Sequence, residues 1–174
     1  MQLPECIRQY PEVVAQFQDA NVIDLKSIRS EVPMRQFLAG MFSYQPKWVT
    51  FLYGVRSVFV RFLGVQQAGI PHQRQVMPRQ VPMQSASNLS FFKVTQALED
   101  RYWAAEVDDT HLKAALLVVA DSSPDKKKQQ YYVVTLVYYH KWTGPLYYNI
   151  IRPFHHLVVN GMLRSGSRST LAVS

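Results

Sequence analysis

KWTGPLYYNIIRPFHHLVVNGML, residues 141–163, is the stretch whose reading decides the fold. A strand ending at Trp142 turns at Thr143-Gly144-Pro145 and enters a long final helix. Gly144 can cap that helix, and Pro145 suits its first position, where a missing N–H goes unused. Leu146, Ile150, Ile151, Phe154, Leu157, Val158 and Met162 make the helix apolar on most sides. Such a helix is either wrapped by the rest of the chain or placed in a membrane. Arg152, His155 and His156 interrupt it, and Arg56 and Arg61 interrupt the other long apolar run, near 48–63. A charge in mid-span is costly, so both runs read as buried or interfacial helices. Pro153 removes the bond to the carbonyl of Asn149 and predicts a bend.

The segments upstream can supply a sheet for this helix. Phe91–Leu98, Arg101–Val107, His111–Ala120 and Gln129–Trp142 are strand-like, joined at Glu99-Asp100, at Asp108-Asp109-Thr110 and through 121–128. Those connections are too short for helical crossovers, so the strands form an antiparallel meander. Alternation puts Leu112, Ala114, Leu116, Val118 and Ala120 on one face of their strand. It puts Tyr132, Val134, Leu136, Tyr138 and Trp142 on one face of the next. Further upstream, Asn21–Ile28 reads as a first strand. A helix follows, with Ser30 as cap, Pro33 near its start, and Phe37, Leu38, Met41 and Phe42 on one face. A second helix opens at Pro46, carries Trp48, Phe51, Leu52, Val55, Phe59 and Phe62 at steps of three and four, and stops at Gly64. Residues 65–88, with Pro71, Pro78 and Pro82, read as a long mobile loop or an irregular edge strand.

Together these elements predict one α+β domain over 20–163. Its arrangement is a helix grip: a curved antiparallel sheet wrapped round a long C-terminal helix, with two shorter helices after the first strand. The other arrangements open to the same elements are an α+β sandwich with a solid core and a sheet with helices on one face. Residues 1–19 form an arm whose Val13, Val14 and Phe17 can pack on the body, and 164–174, small, polar and basic, read as a disordered tail.

Charge and cysteine usage narrow the function classes. The formal charge is +7, but most basic residues stand singly, apart from Lys126-Lys127-Lys128 and Arg164 with Arg168. That spread argues against nucleic acid and leaves a weak contact with an anionic membrane surface. The single cysteine, Cys6, rules out an intrachain disulfide and a cysteine zinc cluster and suits a cytoplasmic protein. Residues 1–20, with Glu5, Glu12 and two prolines, are not a signal peptide. No glycine-rich phosphate loop, G-x-S-x-G or metal-ligand spacing occurs, so no cofactor and no metal is expected.

The candidate chemistry lies around the final helix. Arg152 and His155, three apart, share a face. With Asp109 and His111 on a nearby turn they can form a polar cluster, in which an imidazole acts as base and a guanidinium binds an anion or carbonyl. The structural reading of the same residues is that they tie the helix to the sheet by hydrogen bonds. Adjacent on a helix, His155 and His156 point about 100° apart and do not chelate one metal. Tyr132, Tyr138, Trp142, Leu116, Trp103, Trp48 and Phe154 are the candidate walls of a ligand cavity, since aromatic rings suit a mixed site.

The run Phe17-Gln-Asp-Ala20 through Asp24, Pro46-Lys-Trp48 leading to Arg56 and Phe62-Leu-Gly64, Asp109-Thr-His111-Leu112, and Gly144-Pro-Leu-Tyr147 through Ile151-Arg-Pro-Phe-His155 together resemble the bacterial domain of unknown function 2867 family, over about residues 17–163. Lys113 stands where the pattern leads one to expect an acidic residue, and His155-His156 where it leads one to expect a single histidine. The resemblance implies a START/Bet v1-like helix-grip fold, a cavity for a hydrophobic ligand, and a functional link to short-chain dehydrogenase-like proteins. Three functions stay open. The first is a module binding a small hydrophobic or amphipathic molecule. The second is a cyclase- or isomerase-type enzyme using His155, Arg152, Asp109 and His111. The third is a peripheral membrane or protein-interaction domain using the helices at 33–63.

Overall fold

The computed structural model of the chain describes residues 2–51, 75–109, 112–121 and 128–170. Its strands are β1 (Val22–Ser30), β2 (Asn88–Leu89), β3 (Phe92–Leu98), β4 (Tyr102–Asp108), β5 (Leu112–Asp121) and β6 (Gln129–Tyr139). They form one antiparallel sheet in the order β1-β6-β5-β4-β3-β2. The meander follows from its short turns. β1 closes the far edge by pairing along β6, from Val22 opposite Val137 to Ser30 opposite Gln129. A β-bulge between Val94 and Gln96 breaks the β3–β4 register and bends that edge of the sheet. With a long C-terminal helix laid on the sheet, the arrangement is a helix grip.

Helices α1 (Glu5–Arg8) and α2 (Pro11–Val14) make the arm, and α3 (Met34–Phe42) follows β1. Residues 47–51 are the described part of the helix expected from Pro46, here α4; the rest of that helix lies outside the described residues, as does 65–74 of the expected mobile loop. The loop's described end holds a 3-10 turn, Pro78–Gln80, and β2. Ser30 does not cap α3. Its hydroxyl accepts the N–H of Val32 and donates to the carbonyl of Ser167, and Pro33 takes the cap position.

The final helix, α5, spans Thr143–Ser167 and runs through Pro153 without a break. β6 stops at Tyr139, so Trp142 is not a strand residue; it caps α5 and projects into solvent. Pro145 falls in the first turn, where amide donors go unused within the helix. At the other end α5 continues four residues past Leu163, into the segment read from sequence as tail.

The sheet has an apolar layer on each side. On one, α3 and α5 cover Val94, Trp103, Ala105, Leu116, Val118, Tyr131 and Val133. On the other, Ile7, Val13 and Phe17 of the arm cover Tyr102, Ala104, Leu117, Val119, Val134 and Leu136. The register decides which residue goes where. Leu116 pairs with Thr135, so the even-numbered face of β5 and the odd-numbered face of β6 look toward α5. Tyr132, Val134, Leu136 and Tyr138 therefore look toward the arm, away from the final helix.

Candidate functional site

α5 presents Tyr148, Ile151, His155, Val159 and Met162 at steps of three and four, which places them on one inward face. Beneath that face lies a cavity of about 1100 Å³. Its floor is Leu112, Ala114, Leu116, Thr135 and Val137 of β5 and β6. Its far wall is Met41 and Phe42 of α3, with Leu89, Phe91 and Phe92 beside β2 and β3. The lining is mostly apolar, and its polar side chains include Tyr148, His155 and Thr135. Among the described residues, Thr135 and Ser30 are the buried polar side chains.

Behind His155 sits a charged cluster carried by β1. Asp24 lies opposite Thr135 and Lys26 opposite Val133, so both point toward α5. The Lys26 ammonium is 3.2 Å from Asp24 Oδ1 and 3.2 Å from His156 Nδ1. Asp24 Oδ2 is 3.2 Å from His156 Nδ1 and 3.6 Å from His155 Nε2. The two adjacent imidazoles thus converge on one carboxylate oxygen, where helical spacing alone predicts that they diverge. Oδ2 of Asp24 and Nε2 of His155 are both buried, and neither has a hydrogen-bond partner among the described residues.

Burial pushes the His155 pKa below the ordinary histidine value. The neighbouring charges of His156 and Lys26 push the same way, and Asp24 opposes them. His155 is therefore neutral at neutral pH. Its Nε2 faces the Asp24 carboxylate at 3.6 Å, beyond hydrogen-bond length. Burial raises the Tyr148 phenol, reinforced by Asp24 and opposed by Arg152, so it stays a protonated donor. That phenol is almost wholly buried, and its hydroxyl has no hydrogen-bond partner among the described residues. Its ring centroid lies 6.4 Å from that of His155.

Among the residues singled out from sequence, His155 and Leu116 line the cavity. Arg152 is exposed on α5. Asp109 closes the β4–β5 turn through its backbone N–H to Leu112, and the carboxylate facing His155 is that of Asp24 instead. His111 lies outside the described residues. Trp103 is fully buried in the core, its indole N–H donating to the carbonyl of Pro82 at 3.0 Å. Tyr132 and Tyr138 belong to the opposite layer, where the Tyr138 hydroxyl donates to the carbonyl of Gln16. Trp142, Trp48 and Phe154 are exposed and do not line the cavity. Sequence reasoning missed Asp24, Lys26, Thr135 and Tyr148. A usable signal was present: in VIDLKSI, Asp24 and Lys26 share a strand face with Val22 and Ile28, so period-two alternation places two charges on a buried face.

The family described as Protein of unknown function (DUF2867) matches residues 14–162. No curated protein matches the chain.

Proposed function

The chain belongs to the DUF2867 family, whose description assigns no activity, and on that footing we propose that it binds a small amphipathic molecule between the sheet and α5. The observation that carries this reading is the buried hydroxyl of Tyr148, without a hydrogen-bond partner among the described residues, on a residue that lines a largely apolar cavity. An unsatisfied buried hydroxyl costs about 1–3 kcal/mol, and a ligand oxygen accepting from it recovers that cost. The apolar part of the ligand lies against Leu89, Phe92 and Leu116, and its polar head lies toward Tyr148, Thr135 and His155. A volume of about 1100 Å³ lies slightly above the usual range for small-molecule sites, roughly 300–1,000 Å³, and suits a lipid-like or polycyclic compound.

Native mass spectrometry of freshly purified protein tests this, followed by denaturing extraction. A co-purified apolar compound in the wild type, absent from Ala114→Trp, supports the reading, because an indole at position 114 fills the floor of the cavity. A bare-chain mass, unchanged on adding a panel of apolar carboxylic acids and alcohols, overturns it.

A second reading, acid–base chemistry on the bound molecule, has its own supporting observation: a neutral imidazole backed by a carboxylate at the polar end of the cavity. In that reading the His155 imidazole accepts a proton from the ligand and returns it elsewhere on the same molecule, an isomerisation needing no co-reactant. His155→Gln separates the two, since simple binding survives the substitution and turnover does not.

A further inference from the structure

The outward face of α5 carries several large, exposed apolar side chains. Trp142 is 84% exposed, Leu146 55%, Ile150 43%, Phe154 45% and Leu157 58%. At 100° per residue these five fall within an arc of about 120°, so they form one stripe roughly 22 Å long. Large apolar side chains scattered singly over a surface need no explanation, but a contiguous stripe marks an interaction site. Nothing on the inner side of the helix accounts for it, because α5 already packs on α3 and the sheet through other residues.

The charges around the stripe indicate what covers it. α5 contains no aspartate or glutamate; its charged residues are Arg152 and Arg164, with Lys141 just before it and Arg168 just after. A two-fold pairing of copies through this stripe would set these cations against one another with no acidic side chain on the helix to answer them. An anionic lipid surface answers both features at once. Its acyl boundary takes Leu146, Ile150, Phe154 and Leu157, its headgroups neutralise the flanking cations, and tryptophan favours the interface between the two. The contact is peripheral, since no helix among the described residues is long and apolar enough to cross a membrane. The α3 half of the 33–63 helix pair cannot serve instead, because Phe37, Leu38 and Met41 are fully buried.

We propose that the outward stripe of α5, Trp142-Leu146-Ile150-Phe154-Leu157, docks the protein on an anionic membrane surface. The test is sedimentation with phosphatidylcholine vesicles, with and without phosphatidylglycerol, using wild type, Leu146→Gln/Leu157→Gln, and Leu98→Gln. Leu98 is a half-exposed leucine at the end of β3, off the stripe. All the substituted side chains face solvent, and circular dichroism verifies that each variant folds. The wild type and Leu98→Gln should bind vesicles containing phosphatidylglycerol, more weakly at high salt. The double variant should bind roughly tenfold less or worse, having lost two leucines from the lipid contact. Tryptophan emission should shift to the blue on binding, and Trp142→Phe should remove that shift. Three results overturn the proposal: no binding to anionic vesicles at low salt, which leaves the stripe to a protein partner; equal binding by the double variant; or a concentration-dependent dimer of the wild type that the double variant dissolves, which assigns the stripe to a second copy.

Discussion

Burial governs the state of His155, and Asp24 opposes it. Burial holds the imidazole neutral, while the carboxylate 3.6 Å away favours the imidazolium. Replacing Asp24 by Asn removes the favourable charge and leaves the burial, so the His155 pKa should fall further below its wild-type position. Proton NMR titration of the imidazole resonances measures this, and a rise would show that Asp24 does not face the ring. The same asymmetry makes stability depend on pH. The unfolded histidine takes a proton near pH 6.5, whereas the folded one resists until lower pH. The contribution is therefore fully present above about 6.5 and is lost as pH falls below it, because the unfolded state then binds more protons. The melting temperature of the wild type should drop more steeply between about pH 7 and about pH 5 than that of His155→Gln; parallel curves would refute the assignment. Pairing His155 with a carboxylate was sound chemistry to read from sequence, but the partner was out of reach. Asp109 is closer in sequence, and only the β1–β6 pairing brings Asp24, some 130 residues away, under α5.

At the scale of elements, the contact between α3 and α5 rests on two glycines. A Cβ on Gly166 would lie 2.7 Å from the carbonyl oxygen of Phe37 and 2.8 Å from Met41 Cγ. A Cβ on Gly40 would lie 3.0 Å from Gly166 Cα and 2.8 Å from Ser169 Cβ. The backbones therefore approach at a point where no side chain fits, and Ser165 Oγ donates across the crossing to the carbonyl of Gly40 at 2.8 Å. Gln36 donates to the carbonyl of Ser169, and Ser30 to that of Ser167, so the chain stays tied to the body beyond the helix. Gly166→Ala should force the helices apart and destabilise by about 1–3 kcal/mol, the usual range for overpacking. Urea unfolding measures this, and an unchanged midpoint would mean the helices are not held at that distance. The composition RSGSRST reads as a tail because small polar residues carry no hydrophobic pattern. A close helix crossing selects the same small residues, and only the contact with α3 tells the two cases apart. The apolar stripes of α3 and of the start of α5 were legible because periodicity records which face is buried; it does not record how closely the backbones approach.

For the whole molecule, the sheet is a central layer between two coverings of unequal size, and the smaller is the arm. Ile7, Val13 and Phe17 close over Leu117, Val119, Val134 and Leu136, all of them buried. Tyrosines hold this covering in place. Tyr138 donates to the Gln16 carbonyl, Tyr102 donates to Glu12 at 2.9 Å, and Tyr10 packs on Tyr102 with ring centroids 4.7 Å apart. Alternation in the sequence sorts the residues of β5 and β6 into faces, but it does not mark which of those faces meets the final helix. Tyr132 and Tyr138, which aromatic character alone makes candidates for the cavity wall, sit in the arm layer instead, and Tyr138 fastens the arm. Deleting residues 2–19 should therefore leave α3, α5 and the cavity in place while exposing a contiguous apolar face on the sheet. The truncated protein should bind a hydrophobic dye strongly, associate with itself and melt at a lower temperature, since uncovering several large buried side chains loses roughly 1.5–3 kcal/mol for each. Dye fluorescence and sedimentation velocity read these effects directly. A monomeric truncation with unchanged melting and no dye binding would show that the arm is an attachment to the sheet and not its second covering.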